Sequence, residues 1–383
     1  MKTVLYITDL HVGSHVAQLS GVFDRARIHH WRVIEVETDR TNRSLPEILA
    51  LWRPAGCIME CGKYVGEDVH SIFGSTPVVY IDPNPETSKL AKHTVSNDPE
   101  KVAKLAMREL LMTGPASFAF FSWYEPSVIW SRGRCRAFAD RVKDHTGKTV
   151  ATFDEPWDIG DPESAHVKMA EFLAALPKPV GIFSVNDYTT TQVLVACECA
   201  GLVAPRDFAL VSVDNEEMRC ENAIPTITSI EQDFRGAGHL AADLLAELLA
   251  KPKLGPRHLT FGPTRLVRRQ SSRVLKLVDP RISGAVERIR RDATTGISAT
   301  DILREIPLSR RLAEKRFLKA TGRTILQEIQ EVRYQEVLKL LTTDIPIGHI
   351  AARCGIQSDS YLKRHFKKRT GMTMREWRQT HMP

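Results

Sequence analysis

Two rhythms of apolar residues divide this chain. Up to about residue 250, short apolar runs alternate with longer stretches in which apolar side chains recur at helical spacing. The runs at 3–8, 31–37, 56–60, 77–81, 117–122, 180–185 and 208–213 predict buried strands. Helices are expected over 10–28, 44–52, 99–112, 134–146, 166–175, 189–200 and 235–250. Ser44 caps one of them, with Pro46 in its first turn. Strands of unbroken apolar character separated by helices imply parallel sheet covered on both faces, and their number allows two doubly wound lobes.

From Pro280 onward the helical rhythm takes over completely. Helices are expected over 282–291, 298–305, 309–320, 325–341, 347–353 and 358–369. The pattern repeats: Phe317 and Gly322 recur as Phe366 and Gly371, both at an offset of 49 residues. That is an internal duplication of a helix-turn-helix, with units at 298–320 and 347–370. Phe317, Phe366, Leu312, Leu362 and Ile350 are expected in the core. The helix between the units spans roughly 25 Å at 1.5 Å per residue, so the second helix of each could enter successive major grooves. The fold class expected is an α/β two-lobed sensor over 1–270, a linker at 271–280 and an all-α double helix-turn-helix domain over 281–383. The stretch from Lys251 to Asp279 holds the basic run Arg265, Arg268 and Arg269 and reads as a connection, part of which could form a last strand.

Charge sharpens this division. The 383 residues carry a net charge of +7, but residues 281–383 hold 21 Lys and Arg against 11 Asp and Glu, leaving 32 against 35 in the rest. A basic terminal domain on a near-neutral body implies a polyanion partner, the alternative being a well-solvated helical surface. On the second helices, Ser309, Arg310, Arg311, Glu314 and Lys315, then Ser358, Asp359, Ser360, Lys363 and Arg364, are candidates for base edges of double-stranded DNA. Lys367, Lys368 and Arg369 are placed for phosphates.

Ligands of doubly wound sheets bind beyond the carboxyl ends of the strands. Polar residues follow the strands here: Asp9, His11, Asp82, Trp123, Asn186, Asp187, Asp214 and Asn215. Carboxylates, amides and an indole face suit a polyhydroxyl ligand, although Asp and Asn also start turns and cap helices. The seven cysteines, an odd number, argue against a disulfide framework. Cys57/Cys61 and Cys197/Cys199 lack zinc-ribbon spacing and are expected to be buried thiols; no metal or cofactor is expected. No apolar stretch is long enough for a membrane span, and the start lacks a signal-peptide core, so a cytoplasmic, nucleoid-associated protein is expected.

Residues 1–270 resemble the effector domain of LacI-type repressors, which share a fold with periplasmic sugar-binding proteins. The carriers are Arg134-Cys-Arg-Ala-Phe138, Phe183-Ser-Val-Asn186-Asp187, Ala204-Pro-Arg-Asp207 leading to Val211-Ser-Val-Asp214-Asn215, and Ile230-Glu-Gln232-Asp233. The resemblance implies that Arg134, Asn186 and Asp214 bind an effector with Gln232 nearby; Asp9, His11 and Trp123 complete the expected site. Such repressors carry a DNA-binding headpiece before the first strand; here the first strand is expected at residues 3–8. The segment Ile347 to Arg378 resembles the AraC-type regulator domain, departing from its pattern at Ile356, Leu362, Met374 and Trp377.

A sensor of the first kind followed by a domain of the second is the arrangement of bacterial xylose-operon regulators. The chain resembles them through Asp214-Asn-Glu-Glu-Met218 and through Leu308-Ser-Arg310 followed by Glu314-Lys-Arg-Phe317. That resemblance implies a homodimer, contact with RNA polymerase, activation of transcription and a small pentose such as D-xylose as effector. The competing readings are a sugar-acting enzyme, a DNA-binding protein with a non-sugar effector, and an architectural protein with a vestigial sensor. The sequence has no GxGxxG, P-loop or GxSxG motif to support the enzyme.

Overall fold

The computed structural model describes residues 1–8, 13–38, 40–60, 68–83, 91–123, 128–158, 160–272 and 280–381. Two six-stranded sheets form the sensor. The first, in the order β11-β5-β4-β3-β1-β2, contains β1 (Lys2–Thr8), β2 (Trp31–Glu37), β3 (Gly56–Glu60), β4 (Val78–Ile81), β5 (His93–Asn97) and β11 (Arg257–Phe261). The second, in the order β12-β10-β9-β8-β6-β7, contains β6 (Ser117–Phe121), β7 (Val150–Phe153), β8 (Val180–Ser184), β9 (Phe208–Asp214), β10 (Thr228–Gln232) and β12 (Pro263–Val267). All neighbours run parallel except β12, which is antiparallel to β10.

Helices cover the faces. In the first lobe these are α1 (Gly13–His29), α2 (Leu45–Trp52) and α3 (Asp68–Phe73). In the second they are α4 (Pro99–Leu111), α5 (Ile129–Thr146), α6 (Pro162–Ala174), α7 (Asp187–Cys199) and the short α8 (Glu217–Asn222). The long α9 (Phe234–Ala250) returns to the first lobe and packs against α1. Gly21 and Gly238 permit that approach, because a Cβ on either would strike the backbone of the other helix. The chain therefore crosses between lobes three times, after β5, after β10 and between β11 and β12. Apolar side chains fill both faces of both sheets, with Phe118, Phe120, Phe121, Phe138 and Phe183 fully buried in the second lobe.

Strands β5, β7, β10 and β11 were absent from the pattern-based expectation. They are short, each contains a threonine, and none offers a long continuous apolar run; their pairing with a neighbour defines them. Arg265 belongs to β12, so the basic run is not a flexible tether. Ser271 and Ser272, expected at the start of the linker, are instead buried in the sensor, where Ser271 donates to Leu210 O at 2.7 Å. Residues 273–279 of the expected linker lie outside the described residues.

The last hundred residues form helices α10 (Pro280–Asp292), α11 (Ala299–Glu305), α12 (Arg310–Thr321), α13 (Ile325–Leu341), α14 (Ile347–Arg353), α15 (Asp359–Thr370) and α16 (Met374–His381). Two small cores result, one around Phe317, Ile329 and Val286, the other around Phe366, Leu338 and Trp377. The duplication extends to hydrogen bonds. Thr321 donates to Phe317 O at 2.8 Å and Thr370 to Phe366 O at 2.9 Å. Thr324 and Gln327 form a capping box, as do Thr373 and Glu376, again 49 residues on. Gly355, with φ +66°, lets the turn of the second unit lie against Thr294 and Gly296 of the first.

Candidate effector cleft and DNA-binding surface

Between the sensor lobes, the carboxyl ends of the strands gather the charged residues. Arg134 rises from α5 and is almost wholly buried. Its Nη1 donates to Val185 O at 2.6 Å, and its guanidinium lies over the Trp130 ring at 5.3 Å. Nη2 stands 4.0 Å from Asp214 Oδ1. Burial lowers the Arg134 pKa, and the charges of Asp214, Asp82 and Asp187 oppose that shift. Asp82 comes from the first lobe, so the two lobes share one electrostatic site.

The carboxylates are held in costly surroundings. Burial pushes Asp214 up to about 7 against the pull of Arg134, with Asp187 adding to the rise. Burial likewise pushes Asp82 up to about 6 against a hydrogen bond from the Asn97 amide. Asp82, Asp214 and Asn215 all have positive φ, at 41°, 103° and 56°. Non-glycine residues in such conformations cluster at ligand sites, where the surrounding structure must hold them. Asp187 holds this one: it accepts from Ser229 Oγ and from the backbone of Glu216, both at 2.7 Å.

Four buried polar atoms around this site have no hydrogen-bond partner among the described residues: Arg134 Nε, Asn97 Oδ1, Gln232 Nε2 and Asn215 Oδ1. Asn97 and Gln232 are joined to each other by their remaining atoms at 2.9 Å across two of the lobe crossovers. Trp123 forms an aromatic wall with Trp130 and Tyr188, at ring distances of 5.8 and 5.6 Å. Donors, acceptors and π faces together suit a ring that carries hydroxyls on its rim and C–H bonds on its faces.

Of the expected effector residues, the fold brings Trp123, Arg134, Asn186, Asp214 and Gln232 to this end of the sheets. Asn186 Oδ1 is already engaged as the α7 cap, accepting from Thr189 N at 2.9 Å. Asp9 and His11 lie outside the described residues. Sequence reasoning singled out Asn215 as a strand-end residue but missed Asn97 and a first-lobe cluster in which His15 bridges Glu60 at 3.2 Å and Glu35 at 2.7 Å, with Tyr6 donating to Glu60 at 3.1 Å.

In the helical domain, Ser309 and Ser358 stand at the starts of α12 and α15. Arg310, Arg311, Glu314, Lys315, Ser360, Lys363, Arg364, Lys367 and Lys368 are exposed, and Asp359 is half-buried. Arg310 pairs with Glu314 at 3.2 Å and Lys363 with Asp359 at 2.6 Å, each one turn along its helix. Exposed pairs of this kind are weak enough to be exchanged for contacts to DNA.

Residues 107–272 match the periplasmic binding protein-like domain family, and residues 302–380 match a helix-turn-helix domain family. The xylose operon regulatory protein of Haemophilus influenzae (strain ATCC 51907 / DSM 11121 / KW20 / Rd) is 30% identical over 291 residues, 74% of each chain. That of Escherichia coli (strain K12) is 29% identical over 293 residues, 75% of this chain and 74% of its own. This chain belongs to the family of xylose operon regulatory proteins. It is an AraC-type DNA-binding transcription regulator with a periplasmic-binding-protein-like sensor, from a family of regulators and not of enzymes. The solved structure of a xylose-binding transcription activator aligns with 100% of the regulator and 99% of its own chain, at a TM-score of 0.59 and 23% identity, a likeness of fold. A transcriptional regulator in complex with cellobiose aligns with 71% of the regulator at the same TM-score and 18% identity.

Three expectations about individual side chains need correction in the regulator. Arg369 is not a free phosphate contact: its Nη2 donates to both oxygens of Glu331, at 2.9 and 2.8 Å, and its guanidinium covers Tyr334 at 3.6 Å. Leu312 is 38% exposed instead of core, matching the exposed Tyr361 at the equivalent place in the repeat. Cys199 is exposed, while Cys57 and Cys197 are buried and Cys61 lies outside the described residues. Periodicity places each of these on a helix but does not decide which neighbour covers it. No helix among the described residues is long and apolar enough to cross a membrane.

Proposed function

We propose that the regulator binds a small sugar of the D-xylose class between its sensor lobes and, so loaded, activates transcription. The observation that carries this is the set of unpartnered buried atoms on Arg134, Asn97, Gln232 and Asn215 at the strand ends and lobe crossovers, with Arg134 facing Asp214 and lying over Trp130 beside Trp123. A buried polar atom without a partner is unfavourable, and sugar hydroxyls would satisfy these in pairs. The relatives' names, xylose operon regulatory protein and xylose-binding transcription activator, support the same ligand. Arg134, Asp214, Gln232, Trp123 and the amide nitrogen of Asn186 are the effector contacts in this reading. Asp9 and His11 remain expected contacts by their place after β1.

The operator contacts are Ser309, Arg310, Arg311, Glu314, Lys315, Ser358, Asp359, Ser360, Lys363 and Arg364, with Lys367 and Lys368 on phosphates. Contact with RNA polymerase and residence on the cytoplasmic chromosome follow from the activator reading. A homodimer is supported by an exposed apolar groove at the open edge of the first sheet, lined by Val16, Leu19, Phe23, Trp31 and Val33.

Melting of the purified chain against a panel of pentoses and hexoses tests the effector. A rise with D-xylose that disappears in Asp214→Asn supports it, since a ligand bound only by the folded state must raise the transition. No rise with any sugar, alongside retained duplex binding, would replace it with a non-sugar effector.

A further inference from the structure

Where the sensor meets the DNA-binding domain, seven charged side chains are packed into one network. Glu109, near the end of α4, is fully buried in the contact. Its Oε2 accepts from Arg268, just past β12, at 2.9 Å, and its Oε1 accepts from Ser272 at 2.8 Å. The same Oε1 accepts from Arg290 of α10, in the DNA-binding domain, at 3.0 Å. Arg268 also approaches Glu328 of α13 at 3.8 Å. Arg323 binds Glu328 at 3.0 Å and Glu331 at 3.3 Å, and Glu331 holds Arg369 of α15. The charges thus run without interruption from the sensor to the second helix of the second DNA-binding unit.

One residue past α4, Met112 of the sensor sits inside the core of the first unit beside Ile282 and Val286. At its other end α4 starts at the crossover of Asn97, Asp98 and Pro99, beside the cleft. Its 13 residues are a rigid rod of roughly 20 Å. Meanwhile α16 touches α9, which packs on the first lobe. The DNA-binding domain therefore spans the joint between lobes: pinned to the second, touching the first.

We propose that Glu109 is the positioning residue that couples effector to DNA, by fixing Arg290 and hence the first helix-turn-helix unit to the lobe that carries Arg134 and Asp214. Movement of the lobes at the crossovers then shifts the pinned domain against its α16–α9 contact and changes how the two units are presented. The inference rests on the effector reading above. The pin is separable by design. Glu328 Oε1 and Arg290 Nε are buried in it without hydrogen-bond partners, so it is held by charge and not by full polar satisfaction.

The test uses the full chain, D-xylose, and a duplex selected from a random pool by the wild-type protein. Glu109→Gln leaves Arg268 and Arg290 without their shared counter-charge; Arg290→Gln breaks the same contact from the other side. Both variants should keep the D-xylose melting shift and bind the duplex, while the ratio of duplex affinities with and without D-xylose falls to about one from the roughly 5- to 150-fold typical of coupled sites. Their radius of gyration by small-angle scattering should rise as the domain leaves the sensor. A wild-type ratio in either variant would overturn the proposal. Failure of the effector reading shows separately, as a wild type indifferent to D-xylose; the pin is then judged by scattering, where an unchanged radius in both variants overturns it.

Discussion

Arg134 Nη2 and Asp214 Oδ1 face each other at 4.0 Å, beyond hydrogen-bond reach, with Arg134 Nε left unpartnered. A hydroxyl placed between them accepts from the guanidinium and donates to the carboxylate. Arg134→Ala or Asp214→Asn should remove most of the D-xylose stabilisation, which for wild type is about 2.7 kcal/mol at a hundredfold excess over Kd. Calorimetric titration and melting with and without sugar measure it; equal shifts in wild type and both variants would remove these residues from the site.

The pH behaviour of the unliganded chain has a definite sign. Unfolded, the carboxyl of Asp214 titrates near 3.8; folded, burial holds it near 7. Asp82 is shifted the same way, from 3.8 to about 6. Between these values the folded state binds more protons than the unfolded one, so their contribution to stability falls as pH rises. Asp214→Asn escapes that fall. Its melting temperature should gain on wild type steadily from about pH 4 to pH 7 and run parallel above. A constant difference across the range would show that Asp214 ionises normally.

Lys367 and Arg369 are two residues apart, and only one of them is free. Lys367→Ala should weaken binding evenly across duplex sequences and reduce the salt slope by about 1, leaving stability unchanged. Arg364→Ala should instead relax sequence preference, costing about 1–3 kcal/mol on the preferred duplex. Anisotropy titrations over a salt series separate the two effects.

Arg369→Ala should act on the fold. It removes two charge-assisted hydrogen bonds from the mostly buried Glu331, leaving Arg323 as its ionic partner, and a loss of about 2 kcal/mol is expected. Urea unfolding followed through Trp377 fluorescence reports it, since Trp377 packs edge-on against Phe366 in the same core. Unchanged unfolding would mean that the Glu331 pair contributes nothing to the second unit.

Phe23 is 40% exposed in the apolar groove beside the open edge strand β2. Phe23→Glu places a charge there and should convert a dimer to a monomer in sedimentation equilibrium, with the melting shift by sugar retained. A dimer unaffected by the substitution would move the interface elsewhere.

Much of this architecture was legible in the residues. Apolar runs gave the fully buried strands such as β6 and β8, because two covered faces leave no room for polar alternation. The offset of 49 residues between Phe317 and Phe366 revealed the paired units, since each core needs its own aromatic at the same helical place. Strand ends pointed to Asp214 and Asn186. Edge strands such as β7 and β11 were not legible, as their identity lies in a neighbour's hydrogen bonds.

By itself, then, the sequence determined the alternating α/β sensor, the duplicated helical domain and the polar strand ends, all of which follow from local periodicity and spacing. Only the tertiary structure decided what each charge faces. Glu109 reads along α4 as an ordinary glutamate in an amphipathic helix; folding buries it between Arg268 and Arg290, 159 and 181 residues away. Arg369 reads as one more base in a basic run, and folding turns it onto Glu331. Periodicity fixes the side of a helix on which a residue lies, while the partner across the interface depends on how domains dock, which no local pattern encodes.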